Sequence, residues 1–291
     1  AYNNVGNVFK NQGKLDSAIE AYRNALTIKP DYHQALNNMG NALKDQGKLD
    51  EAIESYKKTF SLKPDYAEAY SNMGNALQDQ GKLKEATEAY NKALALKPDY
   101  AEAYSNLGTA LQDQGKLNEA VQAYKQAFLI RPNYTEAYSN MGNALQEQGK
   151  LEEAIKAYNK ALFIDPGYAE AYNNMGNALQ EQGKLEEAIK AYNKALSLKP
   201  DYAEAYLNAT ETLKMSINTS ALKKGCLSVE NKVRAIGKKI LSISSDEEVA
   251  LKISEALDCI SKRDINVKSP TSQIYKRNSI DLNCDRHQKV F

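Results

Sequence analysis

The stretch NNMGNALQEQGKLEEAIKAY, residues 173–192, has the pattern of a helix, a glycine and a second helix. Its first helix contains three asparagines, Asn173, Asn174 and Asn177. Asparagine is a poor helix former because its short amide competes with the backbone for hydrogen bonds. We therefore expect these residues to serve something other than the local stability of the helix.

The same pattern recurs along the chain with a period of 34 residues. Units begin at residues 33, 67, 101, 135, 169 and 203, and a shortened unit occupies residues 1–32. Glycine recurs at position 8 of the unit, alanine at position 20 and proline at position 32, and all of the 19 tyrosines except Tyr275 fall at position 4, 24 or 34. A fixed period of this length predicts a helical repeat array.

Each recurring residue has a structural interpretation. Glycine at position 15, such as Gly81, supplies the left-handed residue that ends the first helix, and the proline at position 32 ends the second helix. Asp65 stands three residues before Glu68, which predicts a capping box at the start of the next helix. The glycine at position 8 costs about 1 kcal/mol relative to alanine, so we expect the second helix to approach closely there, with the alanine at position 20 as its counterpart.

The first helix of each unit has two distinct faces. Positions 4, 7, 8 and 11 form the apolar stripe expected of a packed amphipathic helix, whereas positions 2, 5, 6, 9, 12 and 13 point the other way. Asparagines occupy positions 6 and 9 of this second face, so they are predicted to lie outside the core. They are Asn4, Asn7, Asn38, Asn41, Asn72, Asn75, Asn106, Asn140, Asn143, Asn174, Asn177 and Asn208.

The consensus Y-x-x-M/L-G-N-A-L…G-K-L-x-E-A-I-x-A-Y-x-K-A-L-x-x-x-P resembles the tetratricopeptide repeat over residues 1 to about 213. The resemblance implies an all-α fold, a right-handed superhelical solenoid of antiparallel helix pairs whose first helices line the concave wall. It also implies a scaffold that binds peptide segments or other proteins. The asparagines at position 6 are further similar to the repeat arm of O-linked N-acetylglucosamine transferases, where such a ladder holds the backbone of an extended polypeptide.

The chemistry of asparagine suits this use. A carboxamide offers both a donor and an acceptor and can pair with the C=O and N–H groups of a peptide backbone. Each such bond contributes about 1 kcal/mol net, so several would give modest, side-chain-tolerant affinity. The alternative is that harmless surface asparagines were copied by duplication, because residues 135–168 and 169–202 are almost identical. The repeated cost in helix propensity favours the peptide-binding hypothesis.

Acidic residues stand at position 13, near the end of the first helix, where the helix dipole disfavours negative charge. They are Asp45, Asp79, Asp113, Glu147 and Glu181. One interpretation is a preference for basic ligand segments. The other, which we favour, is a local pairing with the lysine three residues further on, at Lys48, Lys82, Lys116, Lys150 and Lys184.

The sequence predicts three segments. Residues 1–216 form the repeat array, with six units of which the first is truncated, followed by a terminal helix. The pattern decays after Asn208, because Thr210 and Ile217 replace the glycines of positions 8 and 15. Residues 217–263 are predicted to form a helical hairpin that caps the array, as a solenoid requires, and residues 264–291 a linker or the start of a further region.

Composition argues against several classes of function. The 38 basic and 37 acidic residues give a net charge of +1, which disfavours nucleic-acid binding, and no apolar run approaches a membrane span. Cys226, Cys259 and Cys284 are too few and too widely spaced for a disulfide framework, which favours the cytoplasm. The chain starts inside a helix at Ala1, so its N-terminus is predicted to be missing.

The sequence offers little to catalysis. His33 and His287 are the only histidines, and Cys284 with His287 makes an isolated pair without the second pair that a metal site needs. We predict no catalytic residues, metal or cofactor, and a protein or peptide as partner. The alternative function is the substrate-recognition arm of a larger, glycosyltransferase-like enzyme whose catalytic domain follows Phe291. Binding of single-stranded RNA is a third, less favoured possibility.

Overall fold

The structure is a computed structural model that describes the backbone of residues 1–222 and the side chains of residues 1–216. Over this range the chain forms thirteen α-helices and no strand, which confirms the predicted all-α repeat. The helices are α1 Tyr2–Asn11, α2 Leu15–Ile28, α3 His33–Asp45, α4 Leu49–Leu62, α5 Ala67–Asp79, α6 Leu83–Leu96, α7 Ala101–Asp113, α8 Leu117–Ile130, α9 Thr135–Glu147, α10 Leu151–Ile164, α11 Ala169–Glu181, α12 Leu185–Leu198 and α13 Ala203–Leu222. Odd-numbered helices are the A helices of the repeats, and even-numbered helices are the B helices.

The turn between the two helices of a unit is set by the glycine at position 15. Gly81 has a φ of +73°, a left-handed conformation that residues with a side chain rarely adopt. The N–H of Lys82 donates to the carbonyl oxygen of Leu77 at 2.9 Å, and the N–H of Gly81 to that of Gln78 at 2.8 Å. These bonds satisfy carbonyls at the end of the A helix, so the predicted role of this glycine is confirmed.

The start of the A helices differs from the prediction. Helix α5 has Tyr66 as its N-cap and no capping bond from a side chain, because Asp65 precedes the cap by one residue. The predicted capping box is therefore wrong. Glu68 instead accepts a hydrogen bond from Nζ of Lys97 at 3.1 Å, which links the two ends of its own helix pair.

The close approach at position 8 is made by a tyrosine. A Cβ added to Gly108 would lie 2.7 Å from Cε1 of Tyr124, the residue at position 24, whose side chain is fully buried. The predicted close approach is correct, but its predicted counterpart was wrong, since Ala120 at position 20 is buried without being the nearest neighbour. A glycine is needed because a flat ring lies against the A-helix backbone.

The A helices are buried on more of their surface than an amphipathic stripe requires. Ala103 and Ala110, at positions 3 and 10 of α7, are fully buried. Position 5, predicted to share the open face, is also buried, with 4% of Ser105 and 5% of Asn37 exposed. The reason is that α7 contacts α8, the preceding B helix α6, and both neighbouring A helices, α5 and α9.

The structure divides into two compact units, Ala1–Ala178 and Leu179–Phe291. Within the first unit, successive A helices contact one another from α1 to α9, whereas successive B helices in residues 1–178 do not. The A helices are therefore the more closely spaced layer, on the inner side of this unit's curve. This placement is the one that the sequence predicts for the asparagine-bearing helices.

In the second unit, α12 packs on α13. The hydroxyl of Tyr192 donates to Oε1 of Gln180 at 3.0 Å, and the hydroxyl of Thr212 donates to the same oxygen at 2.8 Å. Helix α13 runs to Leu222, past the predicted end near residue 216, because Ile217 replaces the glycine that ends the other A helices. The rest of the predicted cap, residues 264–291 and the Cys284 and His287 pair lie outside the described residues.

Candidate functional site

The asparagines at position 9 are attached to the core. Oδ1 of Asn75 accepts a hydrogen bond of 2.7 Å from the hydroxyl of Tyr90, the tyrosine that also lies over Gly74. The same bond recurs in three other repeats of the first unit. It joins Tyr22 to Asn7 at 2.8 Å, Tyr56 to Asn41 at 2.7 Å and Tyr158 to Asn143 at 2.8 Å. Each of these amides is therefore oriented with its oxygen toward the B helix.

Burial keeps these tyrosines protonated. Desolvation raises the pKa of Tyr22 to about 12 and that of Tyr124 to about 12. Removal from water raises the pKa of a phenol because it disfavours the charged form. The tyrosine hydroxyls therefore remain hydrogen-bond donors at neutral pH.

The asparagines at position 6 link one A helix to the preceding one. Nδ2 of Asn106 donates to Oδ1 of Asn75 at 2.9 Å, and Nδ2 of Asn174 donates to Oδ1 of Asn143 at 3.1 Å. Three similar bonds occur nearer the N-terminus, all at 3.1 Å. They join Asn38 to Asn3 and to Asn7, and Asn72 to Asn37.

Together the side chains at positions 6 and 9 of residues 1–178 form a row that crosses the A helices, which we call the inner amide row. At position 6, Asn38, Asn72, Asn106, Asn140 and Asn174 are half-buried, and Asn4 is exposed. Asn177 lies on α11 and Asn208 on α13, and both are half-buried. All twelve predicted asparagines thus retain some exposure.

The internal bonds offset the low helix propensity of these asparagines. A hydrogen bond contributes about 0.5–1.5 kcal/mol net, which is similar to the cost of asparagine in a helix. The row therefore has a structural function of its own, and the propensity cost alone does not require a ligand. Binding capacity remains, because a carboxamide has two donor hydrogens and an oxygen with two lone pairs, and Oδ1 of Asn106 accepts no bond from the described residues.

The row is interrupted once, at position 9 of α7. Thr109 stands there in place of asparagine, and its hydroxyl donates to the carbonyl oxygen of Ser105 at 3.2 Å and lies 3.1 Å from the hydroxyl of Tyr124. Asn140, the next residue at position 6, makes no hydrogen bond within the described part of the chain. This repeat differs from its neighbours in both respects.

The acidic residues at position 13 also pair between A helices. Oδ2 of Asp45 lies 3.1 Å from Nζ of Lys10, at position 12 of the preceding A helix. In the same relationship, Nε2 of Gln78 donates to Asp113 at 2.9 Å, and Gln112 donates to Glu147.

The ion pairs of the described residues do not join any of these acids to the lysine at position 16. The predicted local pairing is therefore wrong. The reason is that a lysine such as Lys48 follows the left-handed turn and is the N-cap of the B helix. Exposed pairs of this kind contribute little to stability. Asp113 and Glu147 instead accept hydrogen bonds from neutral glutamine amides.

Other kinds of site receive no support in the described range. Among the described side chains, those of residues 1–216, no group of three or more histidine, cysteine or acidic residues could bind a metal ion. None of the helices in this range combines the length and apolar character that crossing a membrane requires.

The helix pairs, the left-handed glycine and the inner amide row define a tetratricopeptide-repeat protein. The family model described as the Cilia and flagella-associated protein 70 C-terminal domain matches residues 1–213, and the chain belongs to this family. No curated protein matches the chain.

Solved structures show the same repeat fold. MamA is 33% identical, with a TM-score of 0.51 over 57% of this chain and 97% of MamA. YrrB, described as a TPR protein with an unusual peptide-binding site, is 28% identical, with a TM-score of 0.53 over 66% of this chain and 99% of YrrB. The APC/C hetero-tetramer Cut9-Hcn1 has a TM-score of 0.63 over 73% of this chain and 42% of its own, and at 18% identity it supports the fold alone.

Proposed function

We propose that the inner amide row binds an extended peptide segment, so that the protein acts as an interaction scaffold. The observation that carries the proposal is the unused hydrogen-bonding capacity of a row fixed on the inner side of the first unit. Asn72 and Asn106 each use Nδ2 to reach the preceding helix and keep a free Oδ1. A peptide N–H can donate to such an oxygen whatever side chain the peptide carries.

Two further observations support a peptide as the ligand. YrrB, a similar repeat protein, has a peptide-binding site, and the near-neutral charge of this chain does not favour nucleic acid. The predicted likeness to a glycosyltransferase arm would use the same row. It stays a prediction, because the family match and the structural neighbours do not bear on it specifically.

The acidic residues would add a preference for basic peptides. Asp113 and Glu147 receive hydrogen bonds from neutral glutamines, whereas Asp45 is compensated by Lys10 and Lys44. We therefore place the preference for lysine or arginine in the ligand at α7 and α9. Added salt should weaken this part of the binding, because exposed charges are screened.

The proposal is tested with a displayed library of short random peptides. Wild-type protein should enrich binding peptides, and the quadruple variant in which Asn72, Asn106, Asn140 and Asn174 are replaced by alanine should bind them much more weakly. The matched control replaces Asn24, Asn91 and Asn159, three exposed asparagines on B helices, and should bind like wild type. Circular dichroism should show unchanged helicity in both. Equal peptide affinity in wild type and the quadruple variant would exclude the inner amide row as the binding site.

A further inference from the structure

We infer that Asn140 is the principal peptide anchor of the inner amide row. Thr109 gives Asn140 this role, because it stands where five other repeats carry an asparagine. The inference rests on the proposed function and adds a position within it. It predicts that the row is not uniform, although asparagine stands at position 6 in every repeat.

The evidence is the pattern of bonds between A helices. In the first unit, each of the other position 6 asparagines that has an A helix before its own donates to a carboxamide oxygen of that preceding A helix. They are Asn38, Asn72, Asn106 and Asn174. The acceptor is asparagine at position 5, asparagine at position 9, or both.

Asn140 has neither acceptor. The preceding A helix, α7, carries Ser105 at position 5 and Thr109 at position 9. The Thr109 hydroxyl donates to the Ser105 carbonyl oxygen and lies within hydrogen-bond distance of the Tyr124 hydroxyl. Neither position 5 nor position 9 of the preceding A helix therefore offers a carboxamide oxygen to Asn140.

This difference has a direct consequence for binding. A ligand that contacts Asn106 meets an amide whose orientation and one of whose two N–H groups are already fixed by the bond to Asn75, so only the second N–H and Oδ1 are available, and only in that orientation. At Asn140 no internal bond from the described residues fixes the orientation of the amide. Its half-buried amide can turn so that Oδ1 accepts from a peptide N–H while Nδ2 donates to a peptide C=O, a two-point contact that a carboxamide can make with a backbone.

Thr109 keeps this position open without disturbing the core. Its hydroxyl replaces the asparagine oxygen as the partner of Tyr124, so the buried tyrosine still has a hydrogen bond. A threonine side chain is shorter than asparagine and offers no carboxamide to the next helix. The substitution thus preserves the bond to the B helix and removes only the bond to Asn140.

The test uses the tightest-binding peptide from the random library as its probe and measures its Kd by fluorescence anisotropy. Asn140→Ala should weaken binding by about tenfold. The matched variants Asn106→Ala and Asn174→Ala should each have a clearly smaller effect. Equal losses for the three variants, with binding still lost in the quadruple variant, would overturn the role of Asn140 while leaving the proposed function intact.

Thr109 is tested separately. Thr109→Asn restores the asparagine found at position 9 in five other repeats, so Asn140 should become bonded to it and peptide affinity should fall, with thermal stability unchanged or raised. Thr109→Ser retains the hydroxyl and should bind like wild type. Unchanged peptide affinity in Thr109→Asn would overturn the role of Thr109 in making Asn140 the principal anchor. Replacing single peptide bonds of the probe by esters gives an independent readout. The ester that weakens binding to the wild type most should have little further effect on binding to Asn140→Ala.

Discussion

The hydroxyl of Tyr90 donates to Oδ1 of Asn75 at 2.7 Å, and the same oxygen accepts a bond from Asn106 at 2.9 Å. The tyrosine ring meanwhile fills the space over Gly74. One residue of the B helix thus packs the core and fixes an amide on the inner side. The bond connects the stability of each repeat to the orientation of the proposed binding row.

Removing this hydroxyl should destabilise the array modestly. Tyr90→Phe keeps the ring but loses the bonds to Asn75 and Gln78, so we expect a loss of about 0.5–1.5 kcal/mol in the free energy of unfolding. Urea unfolding measures it. Tyr104→Phe is the control, because the half-buried Tyr104 has no side-chain hydrogen bond in the described residues. Equal stability of the two variants would show that the hydroxyl contributes nothing.

Alanine at position 8 should be destabilising although alanine is the better helix former. In Gly108→Ala the new Cβ would lie 2.7 Å from Cε1 of Tyr124, and relief of this overpacking should cost about 1–3 kcal/mol. This outweighs the gain of about 1 kcal/mol in helix propensity. Chemical denaturation should show the loss.

The second variant needed is Tyr124→Leu, which removes the ring. If the ring causes the clash, the double variant should lose less stability than the sum of the two single losses. Additive losses would place the cause elsewhere.

The sequence correctly predicts the structural features that depend on one repeat unit alone. The period gives the helix pairs, and the left-handed conformation of Gly81 follows from its place at the end of an apolar helical stripe. Both signals are local. They need no knowledge of the neighbouring repeat.

The errors concern contacts between elements. A helical wheel contains one helix only and places Ser105 on the open face, whereas the residue is buried among neighbouring helices. Proximity in sequence predicts that Asp45 pairs with Lys48, but Asp45 pairs with Lys10, which lies 35 residues earlier. The regular spacing of one period plus one residue was present in the sequence, so comparing positions 12 and 13 across units could have found this pair.

A larger residue at position 20 tests the packing of the B helices. Ala120 is fully buried in α8, so Ala120→Leu should overpack the core and cost about 1–3 kcal/mol. Ala95→Leu, at an exposed position of α6, introduces the same side chain and should change stability little. Thermal unfolding of the two variants should separate them. Similar melting temperatures would contradict the packing described here.

Alkaline pH should unfold the array through its buried tyrosines. Burial raises the pKa of Tyr124 from 10 to about 12, and it does the same for Tyr22. Above pH 10 the unfolded chain releases these protons while the folded chain keeps them. The unfolded state then binds fewer protons, so the free energy of unfolding falls as pH rises.

This contribution to stability is fully present below pH 10 and is lost between pH 10 and about 12. Melting temperatures measured by circular dichroism should fall through this range, and phenolate absorbance should rise together with the loss of helix. Tyr124→Phe has one ionisable group fewer and should show a shallower decline than wild type, whereas Tyr2→Phe, at an exposed position, should follow wild type. Phenolate formation by all tyrosines near pH 10 without loss of helix would contradict the buried, hydrogen-bonded state of these hydroxyls.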